Sequence, residues 1–358
     1  MNVVFRVDSS YKIGSGHVMR CLVLAKSLRA AGCNVKFVCR DISGNISSLL
    51  EASLFETVIL NSITSEPLIE DGYSSWLGVS QEIDANQMIE FLGDSAVDWV
   101  IVDHYSLDEY WEKRIETHGC RILVIDDLAN RRHQCDVLID ANFVKGYNQR
   151  YQKIVNNSCA ALLGPDYCLI ADEYNNPDFS LRERSGLVDR VLIYFGGVDP
   201  LNLSSLCLDV FSIEELNHID LDIVIGSMNK NHNSLSIAGE RRGNTTLHSS
   251  VPNLSKLINS ADLSLGAGGV TTWERMCLGL PSMIISTAEH QILGAETLSE
   301  NKFATYLGFH TEITRKSLES AITAKISNPD EILYESLAGK KLVDGKGISR
   351  IINCMISF

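Results

Sequence analysis

The chain is 358 residues long, 45% hydrophobic and 21% charged, the composition of a soluble globular protein with room for two domains. Its formal charge of −14 argues against nucleic acid or an anionic membrane surface as the main partner. No apolar run approaches the ~18 residues that span a bilayer, so no membrane insertion is expected.

The N-terminus opens on an apolar strand over 3–7 with no charged-then-apolar leader. A helix over 17–31 follows, with Val18, Cys21, Leu22, Ala25 and Leu28 recurring on one face and Gly32 at its end. Further strands are expected at 34–39, 99–102, 121–125, 137–139 and 160–163, with a helix through 110–117. Near-continuous apolar strands alternating with helices predict a parallel sheet covered on both faces. Residues 172–187 are polar and charged and read as an interdomain linker. The pattern then restarts with strands at 190–195, 221–225, 262–265 and 282–285 and helices from Leu203, over 253–260 and over 270–278. The tail beyond 314 reads as helical, with glycine breaks at Gly339 and Gly345.

The chain is therefore expected to be α/β: two facing Rossmann-like domains, 1–171 and 188–358, with ligand held between them at the strand C-termini. Its ten cysteines contain no Cys-x-x-Cys pair, and most sit in apolar runs, where a thiol behaves as a small hydrophobe. A reducing cytoplasmic setting is the corresponding expectation.

Two glycine-rich turns, each between a strand and a helix, are the strongest candidates for function. Gly14-Ser15-Gly16-His17 puts an imidazole at a helix N-terminus, where the dipole disfavours its protonated form and leaves a base at neutral pH. The same residues read equally well as a plain turn, and the third glycine of a dinucleotide fingerprint is missing. In Gly266-Ala267-Gly268-Gly269-Val270-Thr271-Thr272-Trp273-Glu274, Gly268 and Gly269 can offer N–H groups to a diphosphate. Thr271 and Thr272 supply hydroxyls, and Glu274 can accept from ribose. Arg6 and Asp8 alternate onto one side of the first strand, where Asp8 either tunes a neighbour or caps a loop. Asp103-His104-Tyr105 closes another strand, and Tyr105 is a candidate donor to a sugar hydroxyl or acetamido group. Gly196-Gly197, with Asp199 and Asn202 beyond, leaves room for a phosphate or a sugar. Asp126-Asp127 has no neighbouring histidine cluster and is poor evidence for a metal.

Taken in order, these motifs resemble the UDP-sugar hydrolases of pseudaminic acid biosynthesis. The match runs through Arg6-Val7-Asp8, Gly14-Ser15-Gly16-His17-Val18-Met19-Arg20-Cys21-Leu22, Val102-Asp103-His104-Tyr105 and Ile125-Asp126-Asp127-Leu128. It continues through Phe195-Gly196-Gly197-Val198-Asp199-Pro200 with Asn202, and Gly266 to Glu274. The resemblance implies a glycosyltransferase-B architecture. It also implies hydrolysis of UDP-2,4-diacetamido-2,4,6-trideoxy-β-L-altropyranose with inversion at the anomeric carbon, without metal or other cofactor. By resemblance, His17 is the general base, Tyr105 an active-site residue, and Gly268-Gly269 part of the UDP site. Asp8, Gly14, Gly16, Arg20, Gly196, Gly197, Asn202, Thr271, Glu274, His290 and Gln291 complete the candidate substrate contacts. His290-Gln291 stands where the family commonly carries Asn-Gln, on the substrate side. The rival readings are a UDP-sugar glycosyltransferase of the same architecture, a hydrolase of a related UDP-diacetamido sugar, and a silent nucleotide-sugar binder. A lipid-linked acceptor would call for a basic amphipathic helix in the first half, and none is evident.

Overall fold

The computed structural model describes residues 1–62, 72–175, 182–226, 229–249, 251 and 253–358. They form two compact units. Unit 1 comprises 1–142, 146–171 and 346–358; unit 2 comprises 143–145 and 172–345. Of the expected linker, 176–181 lie outside the described residues.

In unit 1 the chain runs β1 (Asn2–Val7), α1 (Gly16–Ala30), β2 (Asn34–Arg40), α2 (Ser47–Ala52), β3 (Glu56–Leu60), α3 (Gln81–Leu92), β4 (Trp99–Asp103), α4 (Glu109–Glu116), β5 (Arg121–Ile125), β6 (Val137–Asp140) and β7 (Ala160–Leu163). The seven strands lie in the order β3-β2-β1-β4-β5-β6-β7, and every adjacent pair is parallel. Alternation along β1 decides what each face does. Val3, Phe5 and Val7 pack with Leu24 and Leu28 of α1, while Val4 packs on the other face with Met88 of α3 and Trp111 of α4. Arg6 shares that second face and is fully buried there.

Unit 2 repeats the plan with β8 (Arg190–Tyr194), α5 (Leu203–Phe211), β9 (Asp220–Ile225), α6 (His232–Arg242), β10 (Thr245–Ser249), α7 (Ser255–Ser260), β11 (Leu263–Ala267), α8 (Thr271–Cys277), β12 (Ser282–Ser286), α9 (Ile292–Glu300) and β13 (Thr305–Phe309). Helices α10 (Arg315–Ile326) and α11 (Pro329–Leu342) follow. The six parallel strands lie in the order β10-β9-β8-β11-β12-β13. The expected α/β class with parallel sheets is what the chain adopts.

Three features depart from the sequence reading. Helix α11 runs unbroken through Gly339, because the glycine is buried against Met276 of α8, where close approach is worth more than the lost helix propensity. The last helix, α12 (Gly347–Ser357), belongs to unit 1 and not to the second domain. Its Ile348, Ile351 and Met355 join the core that α1 covers, an apolar face that finds its partner far from its neighbours in sequence. Strands β3, β10 and β13 are mixed in composition and half-buried or exposed along most of their length, so they lack the apolar signature by which the other strands are read. Among the described residues, no helix is long and apolar enough to cross a membrane.

Each strand order reverses once, between β1 and β4 in unit 1 and between β8 and β11 in unit 2. Loops leaving the C-terminal ends of such strand pairs diverge and open a crevice, which is where open α/β sheets bind ligands. Beyond the ends of β1, β4, β8 and β11 lie, respectively, His17 at the start of α1, Tyr105, Gly196-Gly197 and Gly268-Gly269.

Candidate functional site

In unit 1, β1 leads into a turn closed by the Gly14 N–H bonding to the Ser10 carbonyl at 2.8 Å. Gly14 has φ of +80°, a conformation that a side chain would strain. Gly16 opens α1, where Ser15 makes no side-chain cap. His17, Arg20 and Cys21 are spaced so that all three reach the end of β4 from one face of the helix.

The target is Asp103, the last residue of β4, which is fully buried. Its Oδ1 lies 2.6 Å from His17 Nδ1. Arg20 grips the same carboxylate with two bonds, Nε to Oδ2 and Nη2 to Oδ1, both 2.6 Å. Burial alone would push the Asp103 carboxyl up; Arg20 and then His17 outweigh it and hold the group well below the usual range. Asp103 therefore stays an acceptor and His17 donates from Nδ1, the tautomer whose lone pair is on Nε2. That is the tautomer a general base needs.

Arg20 continues to Asp127 Oδ2 at 2.6 Å, where the Tyr105 hydroxyl also donates, at 2.5 Å. Asn142 donates to the other oxygen at 3.0 Å. Burial raises the Tyr105 phenol, and the Asp127 charge raises it further, so the hydroxyl keeps its proton and directs it at Asp127. This differs from the expected donation to a sugar. The Tyr105 proton is committed to Asp127, and the oxygen's remaining capacity is as an acceptor. The Tyr105 ring stands edge-on to His17, with centroids 4.5 Å apart, and Trp76 stacks on it at 5.6 Å.

Asp8 does not line this crevice. It is fully buried, bonded by Arg6 at 2.6 and 2.9 Å and by the Arg40 N–H at 2.6 Å, and 3.2 Å from His104 Nε2. Arg6 and Arg40 also bind Asp84 of α3. The expectation that Asp8 contacts substrate is corrected: it braces the strand ends beneath the crevice. Asp126 and Asp127 diverge, Asp126 turning to Arg131 and Tyr151 while Asp127 turns to Arg20. Among the described residues, no group of three His, Cys, Asp or Glu could hold a metal ion.

In unit 2 the two glycine turns differ. After β8, Gly196 has φ of +89° and Asn202 is left-handed at +55°. The first amides of α5 are already answered, since the buried Asp199 carboxyl accepts from Leu203 and Ser204 N–H at 3.0 and 2.9 Å. After β11, the N–H groups of Gly268, Gly269, Val270 and Thr271 have no partner among the described residues. Space beside Gly269 is open: a Cβ added there would meet nothing within 4 Å. Thr272 is turned inward, its hydroxyl donating to the Ala267 carbonyl at 3.3 Å, while Thr271 is half-buried.

Glu274, half-buried in α8, is pushed up to about 7 by burial, partly offset by a hydrogen bond from Tyr174. Gln291 Oε1 accepts from the Thr287 N–H at 2.9 Å and from the Thr287 hydroxyl at 3.2 Å, which fixes the amide; His290 is exposed. Sequence reasoning misses Asp103, Asp127, Asn142, Trp76 and Tyr174 as individual site residues. Asp103 ends β4, and Asp127 and Asn142 lie just beyond β5 and β6, a position that many polar residues share; Trp76 and Tyr174 lie in short 3-10 turns and carry no such signal.

The chain matches the glycosyltransferase family 28 C-terminal domain over residues 191–347. It is 28% identical over 264 residues to the UDP-2,4-diacetamido-2,4,6-trideoxy-β-L-altropyranose hydrolase of Campylobacter jejuni, covering 73% of this chain and 83% of that protein. It is 22% identical to the spore coat polysaccharide biosynthesis protein SpsG of Bacillus subtilis, over 98% of this chain and 96% of that one. Among solved structures it is similar to MurG of Acinetobacter baumannii, with a TM-score of 0.67 at 15% identity over 100% of this chain and 99% of that chain. LpCGTa, solved in complex with UDP, gives a TM-score of 0.67 at 11% identity over 99% of each chain. Two parallel sheets, each reversing strand order once and matched end to end by these structures and by a solved glycosyltransferase from Rickettsia africae (TM-score 0.61, 11% identity, 99% of this chain and 98% of that one), give this chain the glycosyltransferase-B fold.

Proposed function

We propose that this protein is an enzyme acting on UDP-linked sugars, and specifically that it hydrolyses UDP-2,4-diacetamido-2,4,6-trideoxy-β-L-altropyranose or a closely related UDP-diacetamido sugar. The observation that carries the reading is the His17–Asp103 pair at 2.6 Å, which leaves Nε2 as the basic atom at the sheet's switch point. The likeness to the Campylobacter hydrolase supports the substrate. The match of 191–347 to a glycosyltransferase domain supports nucleotide binding in unit 2.

In this reading the diphosphate is bound by the amides of Gly268 to Thr271, and the ribose hydroxyls by Glu274. A water molecule attacks the anomeric carbon on the face opposite the nucleotide. Its proton passes to His17 Nε2, the bond from the anomeric carbon to the phosphate oxygen breaks, and UDP leaves with that electron pair. The products are UDP and the free sugar, inverted. General-base assistance of this kind contributes about 10² to 10⁴ in rate.

Transfer to an acceptor hydroxyl is the second reading, favoured by the same glycosyltransferase domain match. It needs the same base and differs only in the nucleophile. Incubation of the purified chain with the diacetamido UDP-sugar in ¹⁸O-water separates the two. Hydrolysis gives UDP without any acceptor and a sugar labelled at the anomeric oxygen. Release of UDP only when an acceptor is present would establish transfer, and no release with any UDP-sugar would reject an enzymatic role.

A further inference from the structure

Arg275 is 3% exposed, yet no carboxylate pairs with it among the described residues. Its bonds all go to neutral acceptors: the Thr271 carbonyl at 3.2 Å, the Ala267 carbonyl at 2.8 Å, Thr272 Oγ1 at 2.9 Å and Ser264 Oγ at 3.5 Å. The guanidinium is packed so tightly against β11 that a Cβ on Gly266 would lie 2.7 Å from Nη1. The charge is thus built into the turn 266–272 itself.

The other buried arginines show how unusual this is. Arg6 and Arg40 bind Asp84, and Arg20 binds Asp103 and Asp127. Arg184 also lacks a carboxylate within bonding distance, but its donors meet the terminal carbonyls of two helices, Ile258 and Ala261 at the end of α7 and Leu278 and Gly279 after α8. Helix C-termini carry partial negative charge and suit a cation. Arg275 meets no such pole. A buried charge without compensation is costly, and an anion bound beside it would remove that cost. Glu274, next in sequence, is a poor counter-charge because burial holds its carboxyl near 7.

We infer that Arg275 is a binding residue whose counter-ion is the diphosphate of the nucleotide, held against the turn at Gly266–Thr272. The inference rests on the proposal that unit 2 binds UDP. It also accounts for Gly266, which leaves the room the guanidinium occupies. Arg275 acts through charge and by fixing the Ala267 carbonyl and Thr272 hydroxyl, which sets the shape of the turn.

Isothermal titration with UDP and with uridine separates these contributions, since uridine has the base and ribose but no phosphate. In wild-type protein UDP is expected to bind much more tightly than uridine. Arg275→Met should weaken UDP about 10- to 100-fold and leave uridine within about twofold. A second variant, Thr272→Asp, keeps the arginine and supplies an internal carboxylate beside Nη2. It should weaken UDP at least tenfold, again without changing uridine binding. Unchanged UDP affinity in either folded variant would overturn the inference, as would an equal loss for UDP and uridine, which marks a structural role. Wild-type protein that binds neither ligand would instead reject nucleotide binding by unit 2.

Discussion

Asp103 holds Nδ1 of His17 at 2.6 Å across 86 positions of sequence, and the same carboxylate is gripped twice by Arg20. The arginine neutralises the aspartate, so the pair contributes orientation and tautomer selection to the imidazole. His17 is buried except for a small exposed fraction, consistent with a ring fixed on one edge and presented on the other.

Replacing His17 with Ala should lower kcat for UDP release by about 10² to 10⁴ while the UDP dissociation constant stays within about threefold. Asp103→Asn should also cost about 10²-fold or more, because the amide can turn its NH2 to Nδ1 and drive the ring proton onto Nε2. Steady-state UDP release, with titration of UDP as control, checks both. Near-normal turnover in the Asn variant would remove the dyad from the chemistry.

Tyr105→Phe removes the hydroxyl that donates to Asp127 but leaves that carboxylate with Arg20 and Asn142. The chain should still fold, with a stability loss of about 1 to 3 kcal/mol for a hydrogen bond to a charged group. We expect kcat/KM for the UDP-sugar to fall about 10- to 100-fold with UDP affinity unchanged. A parallel loss of UDP affinity would place Tyr105 on the nucleotide instead.

In the proposed role at the ribose, Glu274 should make nucleotide binding depend on pH. Its carboxyl is pushed up to about 7 by burial, and the ionised form is the stronger acceptor for ribose hydroxyls, so binding should release a proton. Affinity for UDP should rise as pH increases from 5 to 7 and level off above. In Glu274→Gln the profile should be flatter over that range and the affinity weaker at pH 8. Titration in buffers of different ionisation enthalpy measures the proton directly, and a wild-type profile that rises toward acid would refute the assignment.

Acid should destabilise unit 1 first. Burial raises Asp8, Asp84 and Asp103, but their arginine partners outweigh it and hold all three low. A depressed carboxyl contributes stability above its unfolded value of ~3.9 and loses that contribution as pH falls toward the folded value. Burial-raised carboxyls work in the opposite sense and gain from acid: Glu112 and Asp140 in unit 1, Glu274 and Glu335 in unit 2. Unit 1 still carries the excess of depressed groups, because Asp126 and Asp127 are held low there as well. Trp76, Trp99 and Trp111 lie in unit 1 and Trp273 in unit 2, so fluorescence of a Trp273→Phe variant reports unit 1 alone. Its transition should fall below pH 4 and precede the change that Trp273 adds in the parent protein; coincident transitions, or native fluorescence retained to pH 2, would contradict the account.

Gly266→Ala should be destabilising by about 1 to 3 kcal/mol through overpacking, because the added methyl meets the Tyr194 carbonyl at 2.5 Å and Arg275 Nη1 at 2.7 Å. Gly269→Ala, beside open space, should leave thermal stability nearly unchanged. Paired melting curves test the contrast, and equal losses at the two positions would disprove it.

Much of this was legible in the chain itself. Apolar runs such as Val3-Val4-Phe5 and Trp99-Val100-Ile101-Val102 are buried on both sides of the sheet and so carry a continuous signal. Gly14 and Gly196 marked turns because their backbones need conformations that side chains resist. His17 and the Gly268-Gly269 turn stood out because strand, glycine and helix are consecutive, and consecutive residues are what local chemistry constrains.

Only the tertiary structure decided which polar residues meet. Sheet order places β4 beside β1, and this brings Asp103 to His17 and sends Asp8 into a buried lattice with Arg6, Arg40 and Asp84. The same folding sets β5 beside β4 and so turned the Tyr105 proton onto Asp127. Each outcome depends on which strand lies next to which. Local preference fixes a residue's backbone, but long-range pairing chooses its partner, and for a buried charge the partner determines the role.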